Sequence, residues 1–397
     1  MKSYMRKEYK LPELFDMHMG KTPDRNNSEY WENGTNPWIS IADMTSNGKL
    51  ITHTKEYITD RAIRETGIKP INYNTVIMSF KLSVGKVSKV ATKDCPAYSN
   101  EAIMAFEIPS VPLGSPMILN DYAYYLLQSI DFTNTGNKAV MGKTLNKAIL
   151  QNTAVKIHVD LDVQSEIITV LDKITDLIDR RKEQLEKLDE LVKARFVELF
   201  GTESEFDKWP CCTIGDVADV CVGVVIKPTQ YYTDKGIPAF RSLNIGEMRV
   251  KDSDWVYFTE EGHQKNQKSV VHKNDVLVVR SGAPGTACVA TEKYDGYNAV
   301  DIIIAHPDNS KINSVFLAAF TNMPHGMNQI RERTGGAAQQ HFNVSGYKAM
   351  RLIMPSIELQ NHFAAFVKQT DKSKLEVQKS LEKLEVLKKA LMQKYFG

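Results

Sequence analysis

The sequence has few cysteines and no long apolar run. Its five cysteines form no Cys-x-x-Cys pair and leave one unmatched in any disulfide scheme, so reduced, buried thiols are expected. No apolar stretch approaches the roughly 18 residues of a membrane span. No apolar core follows the basic N-terminus, which excludes a secretory signal. We therefore expect a cytoplasmic protein without a disulfide framework.

The sequence also lacks the signatures of catalysis. Its nine histidines include no His-Glu-x-x-His pattern and no clear pairing with cysteine, so no metal site is expected. Neither a Gly-x-Gly-x-x-Gly fingerprint nor an Asn-Pro-Pro-Tyr/Phe methyltransferase motif occurs. Residues 136–144 resemble a phosphate-binding loop, but five residues instead of four separate the glycines, and no strand leads into it. We expect no catalytic residue and no cofactor bound by this chain.

A tandem repeat is the most informative feature that is present. Residues 161–201 align without a gap with residues 357–397, and ten of the 41 aligned pairs are identical. The preceding regions match more loosely, for example residues 36–41 with residues 237–242. A repeat of this length means that the chain consists of two copies of one unit.

Each copy ends in a predicted long helix. Apolar residues recur there at alternating steps of four and three, as in a coiled-coil seam. Residues 159–201 carry 7 Lys+Arg and 11 Asp+Glu, and residues 357–397 carry 8 and 5, so the net charges are −4 and +3. Opposite charge favours pairing of the two helices, most easily antiparallel; the alternative is that each only presents a solvated charged face. The predicted seam residues are Leu171, Ile174, Ile178, Leu185, Leu188, Val192, Leu381, Leu384 and Leu391.

The region before each helix is predicted to be a mixed globule. Short β-branched runs bounded by turn residues predict strands at 76–78, 276–279 and 300–304, and short helices are predicted at 122–130 and 315–321. The predicted fold class is α+β: a tandem duplication of two α/β domains, separated by two long helices that pair as an antiparallel coiled coil. The predicted boundaries are a first domain at 1–158, a helix at 159–201, a second domain at 202–356 and a helix at 357–397.

Several segments resemble one known family. Residues 20–23, 29–31 and 36–44 are similar to the opening of a target-recognition domain in the specificity subunits of Type I restriction-modification enzymes. Residues 76–87 resemble the central strand pair of that domain, and residues 180–201 resemble the family's central spacer. The resemblance covers essentially the whole chain in the order domain, helix, domain, helix. It departs from the family before each helix, where a proline is missing.

The resemblance implies a non-catalytic DNA-binding subunit. Such a subunit reads a bipartite, asymmetric target in double-stranded DNA, with one domain on each half-site and the paired helices setting the gap. The same helices dock two methyltransferase subunits, and restriction or motor subunits can join them. No cofactor is implied for this chain, because S-adenosylmethionine, and ATP and Mg in the full complex, are expected on the partner subunits.

Candidate DNA-binding residues follow from the chemistry of base and phosphate recognition. Arg and Lys suit guanine, Asn and Gln suit adenine, and cations hold phosphates. In the first domain the candidates are Lys21, Arg25, Lys81, Lys86, Lys143 and Lys147; in the second they are Arg241, Arg280, Arg331, Arg333, Gln339 and Gln340. Residues 331–340 have no apolar period and are expected to form an exposed loop. The alternative for each candidate is an ordinary solvated side chain.

A second hypothesis is a duplicated coiled-coil scaffold that binds protein partners without sequence-specific DNA recognition. The second globule mildly favours it, because residues 202–356 carry 16 Lys+Arg against 17 Asp+Glu. Lys81 and Arg280 favour DNA binding, since each follows a predicted strand at a matched position of the repeat.

Overall fold

A similar order of strands and helices occurs twice along the chain. The computed structural model describes residues 5–81, 83–92, 96–109, 117–132, 147–334 and 341–397. The chain divides into two units of mixed helix and sheet, one formed by residues 1–180 with 380–397 and the other by residues 181–379.

The first unit contains the N-terminal strands and helices together with the beginning of the first long helix. Its strands are β1 (Arg6–Lys10), β2 (Asp16–Met19), β3 (Asn36–Ile39), β4 (Leu50–Ile51), β5 (Glu56–Ile58), β6 (Val76–Ser79), β7 (Val87–Val90), β8 (Tyr98–Ser99), β9 (Ile103–Glu107) and β10 (Ala154–His158). Its helices are α1 (Leu11–Leu14), α2 (Ile41–Asn47), α3 (Asp60–Thr66), α4 (Asn120–Ser129), α5 (Lys147–Asn152) and the start of α6 (Leu161–Phe200).

The second unit has a similar order with additional strands. Its strands are β11 (Cys211–Thr213), β12 (Ala218–Val222), β13 (Tyr232–Thr233), β14 (Ile237–Phe240), β15 (Ile245–Gly246), β16 (Arg249–Val250), β17 (Val256–Phe258), β18 (Val276–Val279), β19 (Ala287–Val289), β20 (Asn298–Ala299), β21 (Ile302–Pro307) and β22 (Arg351–Ile353). Its helices are α7 (Glu260–Lys265), α8 (Ser314–Asn322), α9 (Pro324–Thr334), α10 (Val344–Lys348) and most of α11 (Ile357–Phe396).

The sheets of the two units share a common set of strands, with β4 added to the larger sheet of the first unit and β13 to the smaller sheet of the second. The larger sheet has the order β2-β9-β6-β7-β4 in the first unit and β12-β21-β18-β19 in the second. The smaller sheets, β5-β3-β8 and β13-β17-β14-β20, each contain one parallel pair, β3 with β8 and β14 with β20. An antiparallel strand pair, β1 with β10 or β11 with β22, joins the two ends of each repeated globule. The predicted α+β duplication is confirmed.

Matched turn residues explain why the strands end at matched places. Asn74 and Asn274 have positive φ angles of 67° and 72° just before β6 and β18, a conformation that asparagine tolerates better than most residues. The side chains of Thr59 and Thr259 cap α3 and α7 by accepting a backbone N–H. Local chemistry thus repeats even where the sequences have diverged.

The two long helices occupy the same positions of the repeat. α6 and α11 are each 40 residues long, which corresponds to about 60 Å at about 1.5 Å per residue. Phe200 and Phe396 are their last helical residues, and Gly201 follows with a φ of 84°, the left-handed conformation that commonly ends a helix. Both predicted helices are confirmed.

Within the second unit, α6 and α11 run antiparallel. The Phe196 and Phe363 rings have centroids 5.5 Å apart, and further along the pair Asp189 forms a salt bridge of 2.6 Å with Lys374. From one contact to the next, the residue numbers fall along α6 and rise along α11, so the two helices are antiparallel.

Within the first unit the same direction holds. Tyr125 on α4 donates a hydrogen bond of 2.5 Å to Asp172 of α6, and the Lys388 ammonium of α11 lies 6.0 Å from the Tyr125 ring centroid. Tyr395, seven residues further along α11, lines a surface hollow together with Ile167, which precedes Asp172 on α6. The predicted antiparallel pairing is confirmed.

The compact units do not coincide with the repeated copies. The end of α6, with Phe196 and Phe200, packs in the core of the second unit, whereas the end of α11, with Tyr395 and Phe396, packs against the core of the first. Each long helix therefore leaves its own globule and ends on the other one. Self-similarity along the sequence carries no information about this exchange.

Two local predictions need correction, and two are confirmed. Residues 331–334 are the last turn of α9 and not part of a loop, because the helix buries only one narrow face, including Ile330 and Thr334. β21 begins at Ile302 and not at residue 300, because Asp301 has a positive φ of 48°. The predicted short helices are confirmed as α4 and α8.

Candidate nucleic-acid interface

Two matched hairpin loops carry candidate residues. Residues 80–86 connect β6 to β7, and residues 280–286 connect β18 to β19. Gly85 and Gly285 close them in the same way, with φ angles of 88° and 94° and with backbone N–H bonds of 2.8 and 3.0 Å to Ser79 and Val279. A side chain at Gly285 would also meet Met327 Sδ of α9 at 2.8 Å. The positive φ favours glycine at both positions.

The first loop presents two lysines. Lys86 Nζ donates to Thr45 Oγ1 of α2, and Lys81 Nζ lies 5.4 Å from the Phe80 ring centroid. Both lysines are half-buried, so their aliphatic stems cover the hairpin while their charges reach its surface. Their contact with DNA stays a prediction.

The second loop uses its arginine differently. Arg280 is only 15% exposed and forms a 2.5 Å salt bridge with Asp301. Its Nε also donates to the Phe342 carbonyl oxygen at 3.1 Å, and the Phe342 N–H bonds to the Arg280 carbonyl at 3.0 Å. The guanidinium thus fastens the hairpin to the segment after α9. Arg280 has a structural role in the second unit, and base contact by it stays a prediction.

The surface beside this loop is made by α9 and by His341. Ser281 Oγ lies 2.7 Å from His341 Nδ1. Arg331 and Arg333 are exposed in the last turn of α9. The Arg331 guanidinium bonds only weakly, at 3.2 Å, to Asn328 of its own helix, which leaves it oriented to solvent. We name Ser281, Arg331, Arg333 and His341 the α9 edge.

Lys21 and Arg25 lie on the first unit at the smaller sheet. Lys21 Nζ donates to the Thr66 carbonyl oxygen at 2.7 Å. Arg25 pairs with Glu56 and lies over Trp31 and Trp38, 4.0 and 4.7 Å from their ring centroids. Stacking on two indole rings and pairing with a carboxylate together hold the Arg25 guanidinium in one orientation.

The remaining candidates fall into three groups. Arg241 donates to the Asp254 carbonyl oxygen and so bridges a local turn. Lys147 is exposed at the start of α5. The other three, Lys143, Gln339 and Gln340, lie outside the described residues.

The predicted seam residues face inward on the long helices. Leu171, Ile174, Ile178, Val192 and Leu381 are at most 7% exposed. Leu185, Leu188, Leu384 and Leu391 are half-buried. Two charged residues also occupy seam positions: Arg195 lies 5.5 Å from the Phe366 ring centroid, and Lys374 pairs with Asp189.

Sequence reasoning missed several residues that shape this surface. Asp301 fixes Arg280, Trp31 and Trp38 orient Arg25, and His341 meets Ser281. No local signal marks such partners, since each is separated from its contact by 6 to 60 residues. A tryptophan pair near an arginine is the one clue that the sequence offered.

Two chemical features are absent from the described ranges. Across them, no group of three or more His, Cys, Asp or Glu side chains is arranged to hold a metal ion. No helix there combines the length and the apolar character needed to cross a membrane.

The chain is similar to known proteins over all of its length. Residues 6–190 match the model of the Type I restriction modification DNA specificity domain. The MjaIX specificity subunit of Methanocaldococcus jannaschii is 20% identical over 410 aligned positions, covering 97% of this chain and 91% of that protein. The EcoR124I/EcoR124II specificity subunit of Escherichia coli is 30% identical over 190 residues, covering 47% of this chain and 45% of that protein.

A solved structure extends this similarity to the fold. The S subunit of the Type I restriction-modification system from M. genitalium aligns with a TM-score of 0.52 at 15% identity, covering 100% of this chain and 99% of that chain. Fold and site together define a tandemly duplicated protein with two α+β globules and two paired long helices. The chain is thus similar to Type I restriction-modification specificity subunits over nearly all of its length, and residues 6–190 match the DNA specificity domain of that family.

Proposed function

We propose that this chain reads a bipartite, asymmetric target in double-stranded DNA, with one globule on each half-site. The observation that carries the proposal is that the two globules share a fold but present different side chains. Both globules share their central strands and the Gly85 or Gly285 hairpin, yet the first hairpin offers Lys81 and Lys86, whereas the second lies beside the α9 edge. Different side chains at one place in a repeated frame suit two different base sequences.

The long helices are proposed to set the gap between the half-sites and to dock two methyltransferase subunits. Restriction or motor subunits are proposed to join that complex. The chain itself contributes recognition and no chemistry; S-adenosylmethionine, ATP and Mg belong to the partners. Exposed apolar residues support docking along the helices, because Leu177, Leu191 and Val386 are 43%, 47% and 70% exposed on elements that are otherwise strongly charged.

A scaffold without DNA recognition is the second candidate. The observation that favours it is the commitment of Arg25, Arg241 and Arg280 to partners within their own units. Fewer cations are then available for phosphates, which supply much of the affinity for DNA.

One experiment separates the two candidates. The chain is co-expressed with its methyltransferase partner in a host that lacks other DNA methylation, and methylated bases are mapped across the genome by single-molecule sequencing. We expect one split motif with a gap of constant length, and no methylation when this chain is omitted. Methylation without a split motif, or methylation that persists in its absence, would contradict DNA reading by this chain and favour the scaffold.

A further inference from the structure

Three side chains of the second unit form a cluster that DNA recognition does not use. Cys221 lies on β12, His306 on the adjacent strand β21, and Asp275 directly before β18. The Cys221 sulfur is 3.6 Å from His306 Nε2, and His306 Nδ1 is 2.7 Å from Asp275 Oδ1. A thiol, an imidazole and a carboxylate in this sequence of contacts are the parts of an activated nucleophile.

Asp275 is held rigidly. It is 3% exposed, and its second carboxylate oxygen accepts the His272 N–H at 2.6 Å. The hydrogen bond to the buried carboxylate, with a smaller effect of the nearby thiol, raises the pKa of His306 to about 10. The imidazole is therefore protonated at neutral pH, and the N–H at Nε2 points toward the sulfur.

The sulfur lies where small molecules can reach it. Cys221 is half-buried, and the His306 side chain is 31% exposed. The thiol also donates to the Lys268 carbonyl oxygen at 3.2 Å, so the imidazolium can donate to the same sulfur from another direction. An adjacent imidazolium favours the thiolate form of a cysteine over the thiol.

Few other ionisable groups surround the cluster. The His272 ring lies 6.1 Å from the His306 ring, and its Nδ1 is 3.6 Å from Asp295. Asp219 is opposite His306 in the strand register. The nearest contacts of His306 are thus the carboxylate of Asp275 and the thiol.

The first unit lacks the cluster at the equivalent place. The strand registers place His18 at the position equivalent to Cys221. On the neighbouring strand they place Glu107 at the position equivalent to His306. Residue 75, just before β6, is Thr75 where the second unit has Asp275. All three positions differ, so the frame does not require these residues. There, burial lowers the pKa of His18, and its Nε2 has no hydrogen-bond partner.

We propose that Cys221 is a reactive thiol that small peroxides oxidise to a sulfenic acid, with His306 stabilising the thiolate and Asp275 as its positioning residue. The sulfur attacks one peroxide oxygen, so an S–O bond forms and the O–O bond breaks. Sulfur loses two electrons, and one peroxide oxygen leaves as water after taking the proton of His306 Nε2; the imidazole then regains a proton from solvent. The site is independent of DNA reading.

The test compares the cysteines within one molecule. The full chain is treated with hydrogen peroxide at pH 7 and quenched, then denatured and alkylated, and the remaining thiol at each cysteine is measured by mass spectrometry over time. Cys211 is the reference because it is exposed and lies beside the Arg351 guanidinium. Burial raises the pKa of Cys288 to about 12, so Cys288 reports on folding.

We expect Cys221 to lose its thiol roughly tenfold faster than Cys211. His306→Gln should bring the two rates together, and Asp275→Asn should lower the Cys221 rate, while Cys288 stays protected. Equal or slower loss at Cys221 in the wild type, or an unchanged rate in a folded His306→Gln chain, would overturn the proposal.

A pH profile of the wild type serves as a readout that needs no variant. The thiolate is the reactive form, so an ordinary thiol reacts about tenfold faster per pH unit below its pKa. We expect the ratio of the Cys221 rate to the Cys211 rate to fall as the pH rises through about 10, where the His306 imidazolium loses its proton. A ratio that stays constant across this range would overturn the proposal even if the variants unfold.

Discussion

At the scale of single residues, the repeat conserves one buried amide. Gln164 and Gln360 stand at the same position of the two long helices, and both are fully buried. The Oε1 of each accepts the backbone N–H of the residue that caps a short helix, Leu119 for α4 and Asn313 for α8, at 2.9 Å. Each glutamine therefore ties a long helix to its own globule.

We predict that Gln360→Ala lowers the free energy of unfolding by about 2–3 kcal/mol. The substitution leaves the buried N–H of Asn313 and the carbonyl oxygen of Pro355 without the hydrogen bonds that the Gln360 amide makes to them. Urea unfolding followed by circular dichroism measures the change. Gln369→Ala is the matched control: it lies on an exposed position of the same helix and should change stability by less than about 0.5 kcal/mol. Equal effects of the two substitutions would show that the amide is not structural.

Substitutions of two arginines of the second unit are expected to have different effects. Arg280→Ala removes a partly buried ion pair with Asp301 and should cost about 1–3 kcal/mol of stability. Arg331→Ala removes an exposed cation and should leave stability unchanged. In complex with the methyltransferase, however, it should weaken DNA binding and reduce the slope of log affinity against log salt by about one. An unaltered salt slope would remove Arg331 from the interface.

At the scale of elements, the sequence predicts the seam residues but not the globule on which each long helix ends. A four-three apolar period depends only on helix geometry, so residues such as Leu171 and Leu381 could be assigned from the sequence. The exchange of helix ends depends instead on which globule offers a complementary core. The Phe200 ring packs edge-on against Phe316, and the Phe396 ring packs at a tilt against Tyr122, at centroid distances of 4.8 and 5.1 Å. No periodicity encodes such pairings.

We predict that Leu381→Ala destabilises the chain by about 2–3 kcal/mol, since this side chain is 6% exposed on the seam and its loss leaves a cavity. Leu387→Ala, on the same helix but 47% exposed, should cost less than about 0.5 kcal/mol. Urea midpoints of both variants measure the difference. Should Leu387→Ala cost as much as Leu381→Ala, the assignment of the seam would be wrong.

The proposed role of the helices in setting the gap predicts the result of an insertion. α6 passes from one unit to the other after Arg180, and α11 does so after Lys379. Seven residues inserted at both points preserve the seam and add about 10 Å, so the gap in the methylated motif should lengthen by about three base pairs.

The control is an insertion of four residues in α6 alone, near Glu183, which shifts one seam against the other. We expect it to abolish assembly or to lengthen the gap. If the gap is the same in all active variants, the helices do not measure it.

At the scale of the whole molecule, duplication was the reliable inference. It predicted two α+β globules and two helices because repeated strands, turns and seams leave local traces, such as Asn74 with Asn274 and Gly85 with Gly285. The candidate interface was less predictable. Whether a cation is exposed depends on distant partners, so Arg280 and Arg331 look alike in the sequence and differ in the fold.

The most direct test of the account exchanges one globule and leaves the rest of the chain unchanged. Residues 1–158 are replaced by the corresponding region of a related specificity subunit with a different target, and the methylated motif is mapped after co-expression with the methyltransferase. We predict that one half of the split motif changes while the other half and the gap stay the same. A motif that is unaltered, or one that changes in both halves, would contradict the claim that each globule reads one half-site.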